Sequence, residues 1–180
     1  LLGKSFFKRL MEFNAADIFE GVVDRIPNRE AVVLGSTRLT YQELDARTNK
    51  AANALEKLGI KKGSHIGIYA YNCIEWLEVM LGAYKLCAIP ININYRYVEE
   101  ELKYLIDNAD MEAVFYHKQF GGKLNNIRND LPLLKDFICI NDGSDADDVI
   151  EGSYDFEALI SNEDNSRLSV ERSGDDKYIL

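Results

Sequence analysis

Two histidines, three cysteines and a scatter of carboxylates are the groups from which catalysis or metal binding would have to be built in this chain. His65 and His117 are far apart, and neither has a second ligand at metal spacing. Cys73, Cys87 and Cys139 form no CxxC pair, and each lies in an apolar stretch, the setting of a buried structural thiol. Asp145, Asp147 and Asp148 are close together but lack the glycine and closing glutamate of a calcium loop. Glu99 and Glu100 with Lys103 have the spacing of ordinary helix-surface pairing rather than of acid–base chemistry. The phosphate-cradling patterns GxGxxG and GxxxxGK do not occur, nor does the GxSxG turn of a serine hydrolase. Residue types and spacing alone therefore assign no catalytic residue and no metal.

The elements that would carry a site are easier to read. Asn14 heads an apolar stripe of Ile18, Phe19, Val22, Val23 and Ile26, which Pro27 closes. Residues 31–35 and 38–41 read as two short strands around a Gly35-Ser36 turn, forming an antiparallel edge. Thr40 and Glu43 form a capping box for a helix that ends at Gly59. The alternation then continues. Strands are expected at 65–70, 88–92, 112–116 and 136–140, with helices from an Asn72/Glu75 cap, over 98–107 and over 122–129. A short helix follows at 154–160, and the final residues 177–180 read as a further strand. Strands that alternate with helices of this length require crossovers, so the fold class is α/β, a largely parallel sheet with flanking helices. The nearly all-apolar runs HIGIYA, AIPI and DFICI fit strands covered on both faces. In such a sheet a ligand sits beyond the carboxyl ends of the strands.

The 180 residues are enough for one core, and the net charge of −9 argues against a nucleic-acid partner. Residues 143–176 hold eleven Asp and Glu against two Arg, so this stretch alone carries the whole −9. It reads as a solvated linker. The organisation expected is an α/β lobe at 1–141, an acidic loop-rich segment at 142–176, and a strand at 177–180. The cysteines read as reduced thiols of a cytoplasmic protein. The opening LLGKSFFKRLMEF is amphipathic with three basic residues. It reads as a docked or tag-derived helix, with peripheral contact to a membrane surface as the alternative.

Four stretches, in order, carry a resemblance. They are VVDRIPNREAVV at 22–33 behind the entry helix, LTYQEL at 39–44, residues 61–102 with the core MLGAYKLCAIPININYRYVEEEL, and GDDKYIL at 174–180. Together they resemble the N-terminal part of the large domain of the AMP-forming acyl-CoA synthetases, in the adenylate-forming enzyme superfamily. LTYQEL is similar to that family's first core motif, and the longest stretch to its second. The form Pro90-Ile-Asn-Ile-Asn-Tyr-Arg-Tyr97 resembles acid–CoA ligases more than the amino-acid-activating branch, and is most similar to ligases of fatty acids or sterol side chains.

The resemblance implies a two-step reaction. A carboxylate displaces pyrophosphate from ATP to give an acyl-AMP, and the CoA thiol then displaces AMP. ATP, Mg²⁺ and CoA are implied for the complete enzyme. The family's phosphate loop and catalytic lysine are expected beyond residue 180, so no catalytic residue is carried onto this chain. The residues carried over are CoA contacts: Asn94, Tyr95 and Arg96 in the loop after the second-motif strand, and Lys118 and Lys123 after the following strand. A lobe of this kind is expected to be inactive alone and to dimerise or aggregate. The alternative is a short, non-catalytic protein that binds an acyl chain or a partner. One departure is plain: Cys87 stands where the family usually has Gly, at a position that calls for a left-handed turn or close packing, so altered local geometry is expected there.

Overall fold

The structure is a computed structural model that describes residues 14–178. In chain order the elements are α1 (Ala15–Arg25), β1 (Glu30–Leu34), β2 (Thr37–Thr40), α2 (Tyr41–Lys57), β3 (His65–Tyr69), α3 (Ile74–Lys85), β4 (Ile89–Asn92), α4 (Glu99–Asn108), β5 (Met111–His117), α5 (Gly121–Ile127), β6 (Asp136–Ile140), β7 (Tyr154–Asp155) and α6 (Phe156–Ser161). The opening amphipathic helix and the last two residues of the expected terminal strand lie outside the described residues. Lys177 and Tyr178 carry no strand.

Strands β4-β3-β5-β6-β7 form one sheet in that order, and every neighbouring pair is parallel. The β1–β2 hairpin is antiparallel but makes a two-stranded sheet of its own, not the edge of the main one. Alternation along the strands divides the core into two layers. Ile66, Ile68, Phe115, Ile138 and Ile140 face one layer with Leu55, Val79 and Ala83 of α2 and α3. Tyr69, Val114, Tyr116 and Cys139 face the other, with Leu102, Ile106 and Leu124 of α4 and α5. A Cβ on Gly67 would come within 2.8 Å of Ile93 Cδ1 and 2.9 Å of Met111 Sδ, so the second layer closes over a bare backbone there.

Local signals set most boundaries. Asn14 caps α1, with its side chain accepting from the Ala16 N–H at 2.8 Å. Thr40 and Glu43 form the full capping box of α2. The α3 cap is a correction: Cys73, not Asn72, is the N-cap, and its Sγ accepts from Trp76 N–H at 3.3 Å. Burial pushes this thiol up to about 12, despite the backbone N–H of Trp76. The helix expected at 122–129 is α5, followed by a 3₁₀ turn at Arg128–Asp130.

Gly59 and Cys87 occupy the same position in two equivalent helix ends. Gly59 has φ +88° and Ile60 N–H reaches back to Leu55 O; Cys87 has φ +56° and Ala88 N–H reaches back to Ala83 O. A left-handed turn that suits glycine is therefore present here with cysteine in it.

The acidic stretch is not a solvated linker. Phe156 and Ile160 are in the first core layer, with Leu168 and Val170 packed against it. Its two arginines join a charge cluster around the buried Lys85: Arg172 donates to Asp17, Glu20 and the Lys85 carbonyl, and Arg167 to Asp24 and Asp45. Charge counting missed this because the partners are carboxylates of α1 and α2, remote in sequence. Among the described residues no helix is long and apolar enough to cross a membrane.

Candidate functional site at the carboxyl ends of the strands

The chain leaves β3, adds β4 on one side, and returns to the other side of β3 as β5. The strand order reverses there, and this is where a parallel α/β sheet opens a crevice. The residues just past these strand ends line a cleft of about 460 Å³, formed by Ala70, Tyr71 and Asn72 after β3 and by Asn92, Asn94, Tyr95 and Tyr97 at and beyond the end of β4.

The loop after β4 is shaped by short-range bonds. Ile93 N–H still pairs with Ile68 O at 2.9 Å. Asn94 Oδ1 then accepts from Arg96 N–H at 3.0 Å, and Tyr97 N–H bonds to Asn94 O at 3.0 Å. The turn leaves Asn94 and Arg96 exposed and Tyr95 and Tyr97 half-buried. Rings support it from one side. Tyr95 lies 4.6 Å from Tyr71, which lies 5.2 Å from Phe120, and Phe120 lies 4.7 Å from Tyr69. The Arg96 guanidinium lies 5.4 Å from the centre of the Tyr95 ring, within cation–π range. Trp76 Nε1–H fixes the Asn92 amide at 3.1 Å.

His117, the last residue of β5, lies behind these rings and is 4% exposed. Its Nδ1 accepts from Tyr71 N–H at 3.3 Å, while Nε2 has no hydrogen-bond partner among the described residues. Burial holds the imidazole below its ordinary 6.5, with Asp142 and Glu75 acting weakly in the other direction.

Four of the five residues singled out from sequence belong to one constellation. Asn94 and Tyr95 line the cleft, Arg96 covers Tyr95, and Lys123 Nζ donates to Tyr97 O at 2.9 Å. Lys118 is the exception. Its Nζ is 3.3 Å from Ser144 O, and it lines a separate cleft of about 240 Å³ with Asn141, Ser153 and Asp155. Lys103 pairs with Asp130 at 2.6 Å instead of with Glu99 or Glu100. Sequence reading missed Tyr69, Tyr71, His117 and Phe120. The available signal was aromatic residues at the ends of two adjacent strands, which matters only once their pairing is known. Among the described residues no group of three or more His, Cys, Asp or Glu could hold a metal ion. The converging groups are rings, amides and one exposed guanidinium, a set suited to holding a ligand with flat and anionic parts.

Comparison with known proteins agrees with this architecture. A 3-oxocholest-4-en-26-oate–CoA ligase of Rhodococcus rhodochrous is 38% identical over 170 residues, which is 94% of this chain and 31% of that protein. A medium/long-chain-fatty-acid–CoA/3-oxocholest-4-en-26-oate–CoA ligase of Mycobacterium marinum is 41% identical over 171 residues, which is 93% of this chain and 31% of that protein. The chain thus spans about a third of the length of these curated relatives. Among solved structures, the anthranilate CoA ligase AuaEII in complex with anthranoyl-AMP superposes with a TM-score of 0.82 at 26% identity, covering 91% of this chain and 30% of that one. The N-terminal domain of FACL13 from Mycobacterium tuberculosis superposes with a TM-score of 0.81 at 24% identity, covering 93% and 41%, and shares the fold. The model of the AMP-binding enzyme family matches residues 19–176, nearly the whole chain, and the chain belongs to that family.

Proposed function

We propose that this chain is the N-terminal lobe of an AMP-forming acyl-CoA synthetase that activates a fatty or sterol-derived carboxylic acid. The observation that carries this reading is the identity of 38–41% over nearly the whole chain to ligases named for such acids. In the first step a carboxylate oxygen bonds to the α-phosphorus of ATP and pyrophosphate leaves. In the second the CoA sulfur bonds to the acyl carbon and AMP leaves. ATP, Mg²⁺ and CoA belong to the complete enzyme, and no residue of this chain is given a catalytic role. Its share is scaffold and CoA contact, through Asn94, Tyr95 and Arg96, with Lys123 beside them and Lys118 in its separate cleft. The exposed Arg96 suits a CoA phosphate and the Tyr71–Tyr95 rings suit a flat base. A cytoplasmic setting, self-association, and surface contact with a membrane through residues 1–13 belong to the same reading.

The test is ATP–pyrophosphate exchange by the full-length protein across a panel of fatty and steroid carboxylic acids, followed by CoA-ester formation. Exchange and ester with one of these acids are expected. A full-length protein that binds such acids without exchange would replace this reading with that of a non-catalytic binding protein.

A further inference from the structure

We propose that Tyr69 and Lys123 are positioning residues that hold the Asn94–Tyr97 loop in the shape that meets CoA. This inference rests on the CoA-contact reading above and gives Lys123 a different part in it: its ammonium serves the loop backbone and not a CoA phosphate.

The loop's inward-facing carbonyls are met by two donors from separate elements. Tyr69, the last residue of β3, is fully buried, and its hydroxyl lies 3.5 Å from Tyr95 O and 3.4 Å from Tyr97 O, sharing one proton between them. Lys123, on α5, gives Tyr97 O a shorter bond of 2.9 Å from a charged donor. Burial pushes the Tyr69 phenol up to about 12, so it keeps its proton throughout the neutral range. Phe120, which packs on the rings of both Tyr69 and Tyr71, fixes the phenol from the α5 side. Surface loops usually leave such carbonyls to water. Here one loop is tied by side chains to the central part of the sheet and to a helix of the same core layer. The exposed side chains of Asn94 and Arg96 stand on this backbone, so removing either donor frees them to move without removing any group that would touch CoA.

The experiment uses the full-length protein and measures KM for CoA in thioester formation beside ATP–pyrophosphate exchange, which requires no CoA and reports whether each variant is folded. The variants are Tyr69→Phe, Lys123→Met, Arg96→Ala and the double variant Tyr69→Phe/Arg96→Ala. Loss of one hydrogen bond to the loop is expected to raise KM for CoA about five- to tenfold in Tyr69→Phe and Lys123→Met. Exchange should stay within about twofold, and the Tyr69→Phe effect should largely vanish in the Arg96→Ala background, because the two act through one loop. Lys123→Met should raise KM for dephospho-CoA by the same factor as for CoA, whereas a ligand of the 3′-phosphate would weaken only CoA. An unchanged KM for CoA in Arg96→Ala overturns the CoA reading and the inference with it. A raised KM in Arg96→Ala with normal values in Tyr69→Phe, or fully additive effects in the double variant, overturns the positioning inference alone.

Discussion

The ammonium of Lys85 lies 2.7 Å from the Asp45 carboxylate, with the lysine side chain 1% exposed. Glu20 is its second partner, at 2.8 Å, so a single cation at the end of α3 joins α1 to α2 inside the fold. Arg172 and Arg167 reach the same carboxylates from the far end of the chain. The most acidic stretch of the sequence is thus anchored by the only two basic residues between 143 and 176.

Removing the central cation leaves the Glu20 and Asp45 carboxylates without their most buried partner, with only Arg172 and Arg167 at their outer side. Lys85→Met keeps the length and apolar stem of the side chain and deletes only the charge. It is expected to cost about 3–5 kcal/mol, the usual penalty for breaking a buried pair from one side. Urea denaturation measures it, and a loss under about 1 kcal/mol would mean the cluster is already relaxed by water.

The same cluster sets an acid limit. Burial alone would raise Glu20, but hydrogen bonds and charge from Arg172 and Lys85 hold it below its ordinary 4.5. The sign follows: the unfolded chain takes up this proton first, so stability is fully present above about 4.5 and falls as pH drops through the lower folded value. Glu78 works in the opposite direction, since burial raises it in spite of Arg47. Denaturation at stepped pH should therefore show loss of stability below pH ~4.5, with a shallower slope in Glu20→Gln.

Cys87 carries a backbone conformation that costs an ordinary residue about 1–2 kcal/mol. Its thiol donates to Asp176 at 3.4 Å, and Asp176 also pairs with Lys62 at 2.7 Å. Cys87→Gly relieves the strain but loses the buried thiol and this contact, so the expected change is within about 1 kcal/mol. Cys87→Val should cost about 2 kcal/mol or more, because a β-branched residue fits φ > 0 worst. Thermal melts of the two variants side by side decide it.

The repeated cap shows what could be read from the sequence. Lys57-Leu-Gly-Ile60 and Lys85-Leu-Cys-Ala88 have the same spacing, and the glycine in the first announces its turn. The second is legible only by comparison, because a cysteine gives no conformational signal. Thr40 with Glu43 was equally plain, since both partners of the box are local. Asn72 misled because it is the better cap by residue type, and only the path of the chain leaving β3 passes the position to Cys73. The crevice followed from the α/β alternation, but its lining did not. Tyr69, Tyr71 and His117 come together through the β3–β5 pairing, which no local pattern encodes. The resemblance located Asn94, Tyr95 and Arg96 but said nothing of where the Lys118 and Lys123 side chains turn.

Gly121 and Gly122 should respond very differently to alanine. A Cβ on Gly121 would stand 1.7 Å from the carbonyl oxygen of Asp148, so the backbone of the acidic loop must move away. Ile150 would then leave the core, and the Tyr116 hydroxyl would lose the Ile150 N–H that it accepts at 3.0 Å. The cost expected for Gly121→Ala is about 3 kcal/mol, with faster hydrogen exchange at Ile150. At Gly122 the nearest atom is Asp148 Oδ1 at 3.4 Å, an ordinary contact. Gly122→Ala should stay within about 0.5 kcal/mol of the parent.

His117 makes the fold sensitive to pH nearer neutrality. Because Nδ1 accepts from Tyr71 N–H, the proton of the neutral ring is on Nε2. Protonating Nδ1 would eject the Tyr71 amide and disturb the ring that supports Tyr95. The buried imidazole is held below 6.5, so the unfolded chain again binds the proton first. Its contribution is complete above about 6.5 and is lost as pH falls toward the folded value, by up to about 1.4 kcal/mol per unit. Nitrogen NMR at pH 7 should find the Nε2–H tautomer. His117→Asn places an amide oxygen near the Nδ1 position and cannot titrate, so it should keep the Tyr71 bond and remove the slope between pH 6.5 and 5. A slope that persists unchanged in His117→Asn would overturn this assignment.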